Sequence, residues 1–221
     1  AAYRWRHQDA SYELGEPYQR MGHSAHPAHT TEIVPFGVGF GVWDDGDMDV
    51  LFYGPELGFG MHINQNQALP EFDVIKVAMG GSSLFGHWAP EGPMTKKLYE
   101  KTDFFLAEKS KSKVAGLVWF QGFNDQFEES ARNAYAANLT KLIEDFRARY
   151  DENLPVVIVE ARKVGDLTHI ANAQRSVAEA MDNVSIVESD GLSDCFHYGA
   201  TSQLVVGQRS AKAMLSLMGV E

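Results

Sequence analysis

Cysteine is nearly absent: Cys195 is the single thiol in 221 residues. It can form no intramolecular disulfide, so the redox compartment is left open. Long apolar runs are missing too, and nothing approaches the roughly 18 to 20 residues that a membrane-spanning helix needs. The opening stretch AAYRWRHQDASYELGEP has no apolar core of the kind a signal peptide carries. Positive charge is scarce, with 19 Lys and Arg against 30 Asp and Glu, a formal net charge of −11 and a pI near 5.1. Such a surface repels polyanions on average, which argues against nucleic acid or an anionic membrane as partner. Internal repeats and low-complexity tracts are also lacking. What is present is a hydrophobic content of 44%, enough in a chain of this length to bury the core of one α/β domain without staples. The expectation is therefore a single domain over 1–221, with an irregular part over 1–53 and an α/β core over 54–221.

Residues 1–48 are rich in His, Gly, Pro and acidic side chains and show little periodicity, apart from a short strand expected near Glu32 to Val38. At Gly54 the texture changes. Pro55 suits a first helical turn, and a helix is predicted from there towards Gln67. Phe72 to Met79 reads as a buried strand closed by a Gly-Gly-Ser-Ser turn, then a helix from Met94 to Lys109, then a strand from Val114 to Phe120. Phe127, Ala131, Tyr135, Leu139, Leu142, Ile143, Phe146 and Tyr150 share one face of a long helix. Leu154 to Glu160 is a third strand, Ile170 to Met181 a helix, Val184 to Glu188 a fourth strand, and Ala200 to Leu217 the last helix. Strands separated by helices imply a mainly parallel sheet covered on both faces, where ligands bind beyond the carboxyl ends of the strands.

Chemistry is therefore sought directly after each strand. After the first stands Met79-Gly80-Gly81-Ser82-Ser83, where glycines let backbone N–H groups approach a ligand; as a bare connection it is equally ordinary. After the second stands Gln121-Gly122-Phe123-Asn124-Asp125, two side-chain amides and a carboxylate on one sheet edge. An amide N–H is what a developing oxyanion needs, although Asn124 and Asp125 would also serve as caps for the long helix. After the fourth strand comes Asp190-Gly191-Leu192-Ser193-Asp194-Cys195-Phe196-His197-Tyr198. The spacing of Asp194 and His197 can bring the carboxylate to one ring nitrogen and leave the other as a base.

In chain order, KVAMGGSSL, VWFQGFND and SDCFHYGATSQLVVGQRSA resemble the second, third and fifth sequence blocks of the SGNH hydrolases, and GPELGFG is similar to the sialate O-acetylesterase and carbohydrate esterase family six branch. The resemblance covers roughly 54–215 and rests most on the QGxND and DxxH turns. It implies a flavodoxin-like three-layer α/β/α sandwich. It implies that Gly80 or Gly81 and Asn124 form an oxyanion hole, that His197 is the general base, and that Asp194 orients it, with Gln121, Gly122, Asp125, Ser82, His87 and Trp88 lining the site. The family's nucleophilic serine follows a first buried strand in a Gly-Asp-Ser or Gly-Gln-Ser-Asn turn, and no such turn precedes GPELGFG here. Ser24 follows YELGEPYQRM, which is too polar for a central strand, and Ser82 and Ser83 occupy the block that donates N–H groups. The first strand with its serine block is thus expected upstream of this chain.

The implied function is a serine esterase removing O-acetyl groups from a carbohydrate or another small ester, with no metal or organic cofactor. The alternative is a non-catalytic carbohydrate-binding or interaction module derived from the same fold, and a third option lets the Asp–His pair activate water directly. Smaller signals are weighed against plainer readings. His23, His26 and His29 could bind zinc but name no fourth ligand. The run from Gly37 to Gly41 is followed by acidic residues that repel phosphate. Trp43, Trp88, Trp119 and Phe123 could stack on a sugar ring, with Trp119 better placed in the core, and for His87 and Trp88 a packing role is as open as a place lining the cleft. Cys195 reads as a small packed thiol. Members of the family are often exported by bacteria, which fits a secreted or periplasmic location; the residues leave compartment and oligomeric state open.

Overall fold

A computed structural model describes residues 2–5, 33–35, 54–65, 69, 72–109, 111–163, 168–192 and 198–220. The chain divides into two compact units, one of Ala1–Lys76, Gly191–Lys212 and Val220–Glu221, the other of Val77–Asp190 and Ala213–Gly219.

The first unit contains a three-stranded sheet in the order β2-β1-β3, from β1 (Ala2–Trp5), β2 (Ile33–Pro35) and β3 (Phe72–Ile75). β1 runs parallel to β2, with Tyr3 opposite Val34, and antiparallel to β3, with Tyr3 opposite Val74. This corrects the expectation for Phe72 to Met79. The strand ends at Ile75, all its residues are half-buried, and its partner β1 falls in the stretch expected to be irregular, because four residues with Arg4 among them carry no strand periodicity. Helix α1 (Pro55–Gln65) opens on a proline whose missing N–H is an orphan at that position anyway. Glu56 ties its start to the end of β3, accepting hydrogen bonds from Gly54 N at 3.0 Å and Lys76 Nζ at 2.9 Å. A Cβ on Gly58 would overlap the backbone of Leu204, and one on Gly207 would overlap that of Pro55. The glycines of GPELGFG and of the last helix, α5 (Ala200–Leu217), therefore let two helix backbones meet at contact distance.

The second unit is built on β4 (Leu117–Trp119), β5 (Val156–Val159) and β6 (Val184–Val187), all parallel and in that order. Every residue of β5 is fully buried, as a central strand covered on both faces should be. Leu117, Trp119, Val156 and Ile158 share a core with Tyr135, Leu139, Ile143 and Phe146 of α3 (Glu129–Tyr150) and with Ile170 and Val177 of α4 (His169–Ala180). Met94 and Leu98 of α2 (Pro93–Glu108) join the same cluster. The α3 face is the one expected from sequence, except at its start. Phe127 precedes the helix and is 54% exposed, because Phe123–Gln126 form a separate 3-10 turn and the chain enters α3 only at Glu129.

Candidate active site

The geometry of the second unit turns on the loop after β4. Trp119 delivers the chain to Gly122, whose φ of 140° is open to glycine alone. A Cβ there would stand 2.7 Å from Ile170 Cγ2 and 2.9 Å from the Tyr135 hydroxyl. The backbone then closes a 3-10 turn, Asp125 N donating to Gly122 O at 3.1 Å. Asn124, half-buried, projects from this turn.

Opposite it lies the glycine loop. Gly80 and Gly81 are exposed, and Gly81 is left-handed with φ 68°. Among the described residues, a Cβ on Gly81 would approach only the Asn124 side-chain nitrogen, at 3.6 Å, while one on Gly80 would meet nothing within 4 Å. Two of the residue types expected to stabilise an oxyanion, a glycine backbone and an amide NH2, thus stand side by side. They do so on the side of the sheet where β4 ends, as the doubly wound rule requires.

The remaining residues expected to line the site support this pair from below. Asp125 is 1% exposed and accepts hydrogen bonds from Leu84 N at 3.0 and 3.1 Å, Phe85 N at 3.2 Å and Gln121 Nε2 at 2.6 Å. Neither Asp125 nor Asn124 caps α3, whose N-cap is Glu128 with no side-chain cap bond; the intervening 3-10 turn has moved both away from the helix start. Gln121 also donates to Ser82 O at 3.0 Å, and the buried Ser82 hydroxyl accepts from Trp88 Nε1 at 2.9 Å. Trp88 meets Trp119 edge to face at 5.3 Å between centroids and is 5% exposed. Trp88 is therefore core and not an open sugar platform, since its indole N–H finds its partner inside the loop. His87 accepts from Ser83 N through Nδ1 at 3.2 Å, which leaves its ring proton on Nε2.

Tyr135 and Gln174 belong to the same construction and were not singled out from sequence. The Tyr135 hydroxyl donates to Gln121 O at 2.9 Å and accepts from Trp119 Nε1 at 3.3 Å and Gln174 Nε2 at 3.1 Å. Gln174 Oε1 takes the Ala161 N–H at 2.6 Å. Burial pushes the Tyr135 phenol well above its ordinary range, so it stays a neutral donor. The available signal was Gln174 on the apolar stripe of α4 with Ile170 and Val177, a buried amide that must find partners.

At the ends of β5 and β6 a second polar cluster ties the strands together. Glu160, fully buried, pairs with Arg175 Nε at 2.7 Å and Lys163 Nζ at 3.3 Å and accepts from Ser189 N and Oγ, both at 3.2 Å. A polar surface groove lined by Glu144, Arg147 and Asn183 lies at the amino ends of these strands, away from Asn124. Asp194, His197, Cys195, Ser24, Trp43, the three histidines from His23 to His29 and the Gly37 to Gly41 run lie outside the described residues. Among the described residues no group of His, Cys, Asp and Glu could hold a metal ion, and no helix is long and apolar enough to cross a membrane.

A parallel sheet layered with helices, with its site loops at the strand ends, has the α/β architecture of the SGNH type. Residues 24–216 match the family described as carbohydrate esterase, sialic acid-specific acetylesterase, and the chain belongs to that family. A probable carbohydrate esterase of Arabidopsis thaliana is 25% identical over 150 residues, 65% of this chain. The chain spans about half of that relative's length, 55% of it. A solved Arabidopsis thaliana protein shares the fold with a TM-score of 0.66 at 23% identity, covering 78% of this chain and 71% of its own. A carbohydrate acetylesterase from Xanthomonas citri shows a TM-score of 0.41 at 19% identity over 47% of this chain and 26% of its own.

Proposed function

We propose that the chain carries most of the active site of a serine esterase that removes O-acetyl groups from carbohydrates. The observation that supports this best is the approach of Gly81 to the Asn124 amide, 3.6 Å from a Gly81 Cβ position. Such a pair offers N–H donors to an oxyanion in fixed orientation, and fixed donors do not have to reorganise when charge develops. On this reading a serine oxygen attacks the acetyl carbon while His197, oriented by Asp194, takes its proton. The N–H groups of Gly80 or Gly81 and Asn124 bind the tetrahedral oxyanion. His197 then protonates the departing sugar hydroxyl, and water releases acetate by the reverse sequence. The roles of Asp194 and His197 come from the family pattern. The attacking serine is likewise taken from the family pattern.

The test is acetate release from acetylated sugars and from p-nitrophenyl acetate, by this chain and by the protein extended upstream through the next apolar strand. Turnover is expected in the extended protein, abolished by His197→Ala and lowered about 10² to 10³-fold in kcat by Asn124→Ala, the usual cost of one oxyanion donor. Sugar binding without turnover in the extended protein would favour the non-catalytic module instead.

A further inference from the structure

We propose that Asp125 is the positioning residue of this site, the group that holds the glycine loop in register with Asn124. The inference rests on the esterase reading for its catalytic half and on geometry alone for the other. Gly80 and Gly81 have no side chains, and among described residues the Gly81 Cβ position approaches only Asn124. The place of their N–H groups is therefore set where the loop is next anchored, over Ser82 to Phe85. Three anchors act there. Trp88 Nε1 holds the Ser82 hydroxyl, Gln121 Nε2 holds the Ser82 carbonyl, and the Asp125 carboxylate holds the N–H of Leu84 and shares that of Phe85 with the Ser83 hydroxyl.

Asp125 differs from the other two anchors because it sits in the same 3-10 turn as Asn124, one residue on. A single rigid turn thus presents one oxyanion donor and fixes the loop that presents the other. The Gln121 amide completes the coupling, giving one hydrogen to Ser82 O and one to Asp125 Oδ2. Among the described residues every donor to the buried carboxylate is a neutral N–H, and such directed bonds to a carboxylate are stronger and stiffer than neutral pairs. Moving the loop by a fraction of an ångström leaves substrate binding intact and weakens the contact made only in the transition state.

Asp125→Asn in the full, serine-containing protein keeps the shape, but its NH2 faces donors where an acceptor stood. The expected result is a kcat lowered about 10²-fold with KM within about twofold, as for loss of an interaction made only in the transition state. In an Asn124→Ala background the same substitution should cost less than about tenfold, because the two act through one oxyanion. Losses that multiply independently, or a raised KM at unchanged kcat, would overturn the positioning role. Amide exchange on the wild-type protein supplies the second arm and does not depend on any variant folding. The Leu84 and Phe85 amides should be protected, and Asp125→Asn should speed their exchange by at least about tenfold. Exchange-labile amides at both positions in the wild type would overturn the clamp itself. A wild-type protein with these amides protected and no ester turnover would defeat the esterase reading, and with it the catalytic half, while upholding the clamp.

Discussion

Gly122→Ala is predicted to be strongly destabilising, because it combines a forbidden backbone conformation with a packing clash next to the candidate site. At φ 140° an alanine must adopt a conformation almost reserved for glycine, at a cost of about 1–3 kcal/mol. The added Cβ would also sit 2.7 Å from Ile170 Cγ2 and 2.9 Å from the Tyr135 hydroxyl. Neither neighbour can retreat easily. The Ile170 methyl branches at a fully buried Cβ, and the phenol is held by Trp119, Gln174 and Gln121. Overpacking of that kind costs about 1–3 kcal/mol more. The sum, roughly 2–6 kcal/mol, is a large part of the ~5–15 kcal/mol by which domains are stable. Urea unfolding followed by tryptophan fluorescence measures it, and with a slope of ~1–3 kcal/mol per molar the midpoint should fall by about 1 M or more. Gly86→Ala is the control, since a Cβ there meets nothing within 4 Å among the described residues; it should be neutral or stabilise by a few tenths of a kcal/mol. A Gly122→Ala loss below about 1 kcal/mol, with Gly86→Ala behaving as expected, would refute the reasoning that packing against Ile170 and Tyr135 holds this turn.

Three further outcomes are expected. Tyr135→Phe strips the partner from the buried Trp119 N–H and should lower stability by about 1–3 kcal/mol in the same urea assay; a change under ~0.5 kcal/mol would show that the network relaxes freely. Glu160→Gln leaves Arg175 and Lys163 facing a neutral group and should cost about 3 kcal/mol, the lower end for breaking a buried pair because both cations are partly solvated. Asp103 is held below the ordinary carboxylate range by its hydrogen bond from the Arg149 guanidinium, against a smaller opposing effect of burial. Its folded pKa lies below the unfolded one, so its contribution is present above about pH 4 and is lost as pH falls through the folded value. The pair is over a third exposed, which limits the contribution to about 0.5 kcal/mol. Stability profiles of the wild type and Asp103→Asn, measured from about pH 6 down to about pH 2, should converge at the acid end; a constant gap would exclude the ion pair as its source.

Periodicity and spacing carried most of the elements. Long helices such as Glu129–Tyr150 and the all-apolar strand Val156–Val159 are legible because a buried face repeats with the period of the backbone that buries it. The same reasoning overran Phe72–Ile75 and passed over Ala2–Trp5, because a short half-buried strand is specified by its neighbours and not by its own pattern. Phe127 matched the helical stripe yet stands outside the helix, displaced by a 3-10 turn that no propensity announces.

At the candidate site, the residues themselves placed Gly80, Gly81 and Asn124 beyond strand ends and supplied the family pattern around them. What the tertiary structure decided is how those loops are held. Asp125 proved to be a buried clamp in place of a helix cap, Trp88 a core ring in place of a sugar platform, and Tyr135 and Gln174 supports for a loop far away in sequence. Local sequence reports which backbone conformations and faces a segment prefers, because those depend on its own side chains. The partner of a buried polar group is chosen by whichever donors and acceptors the packed fold brings within reach, often tens of residues away, and only the folded chain contains that information.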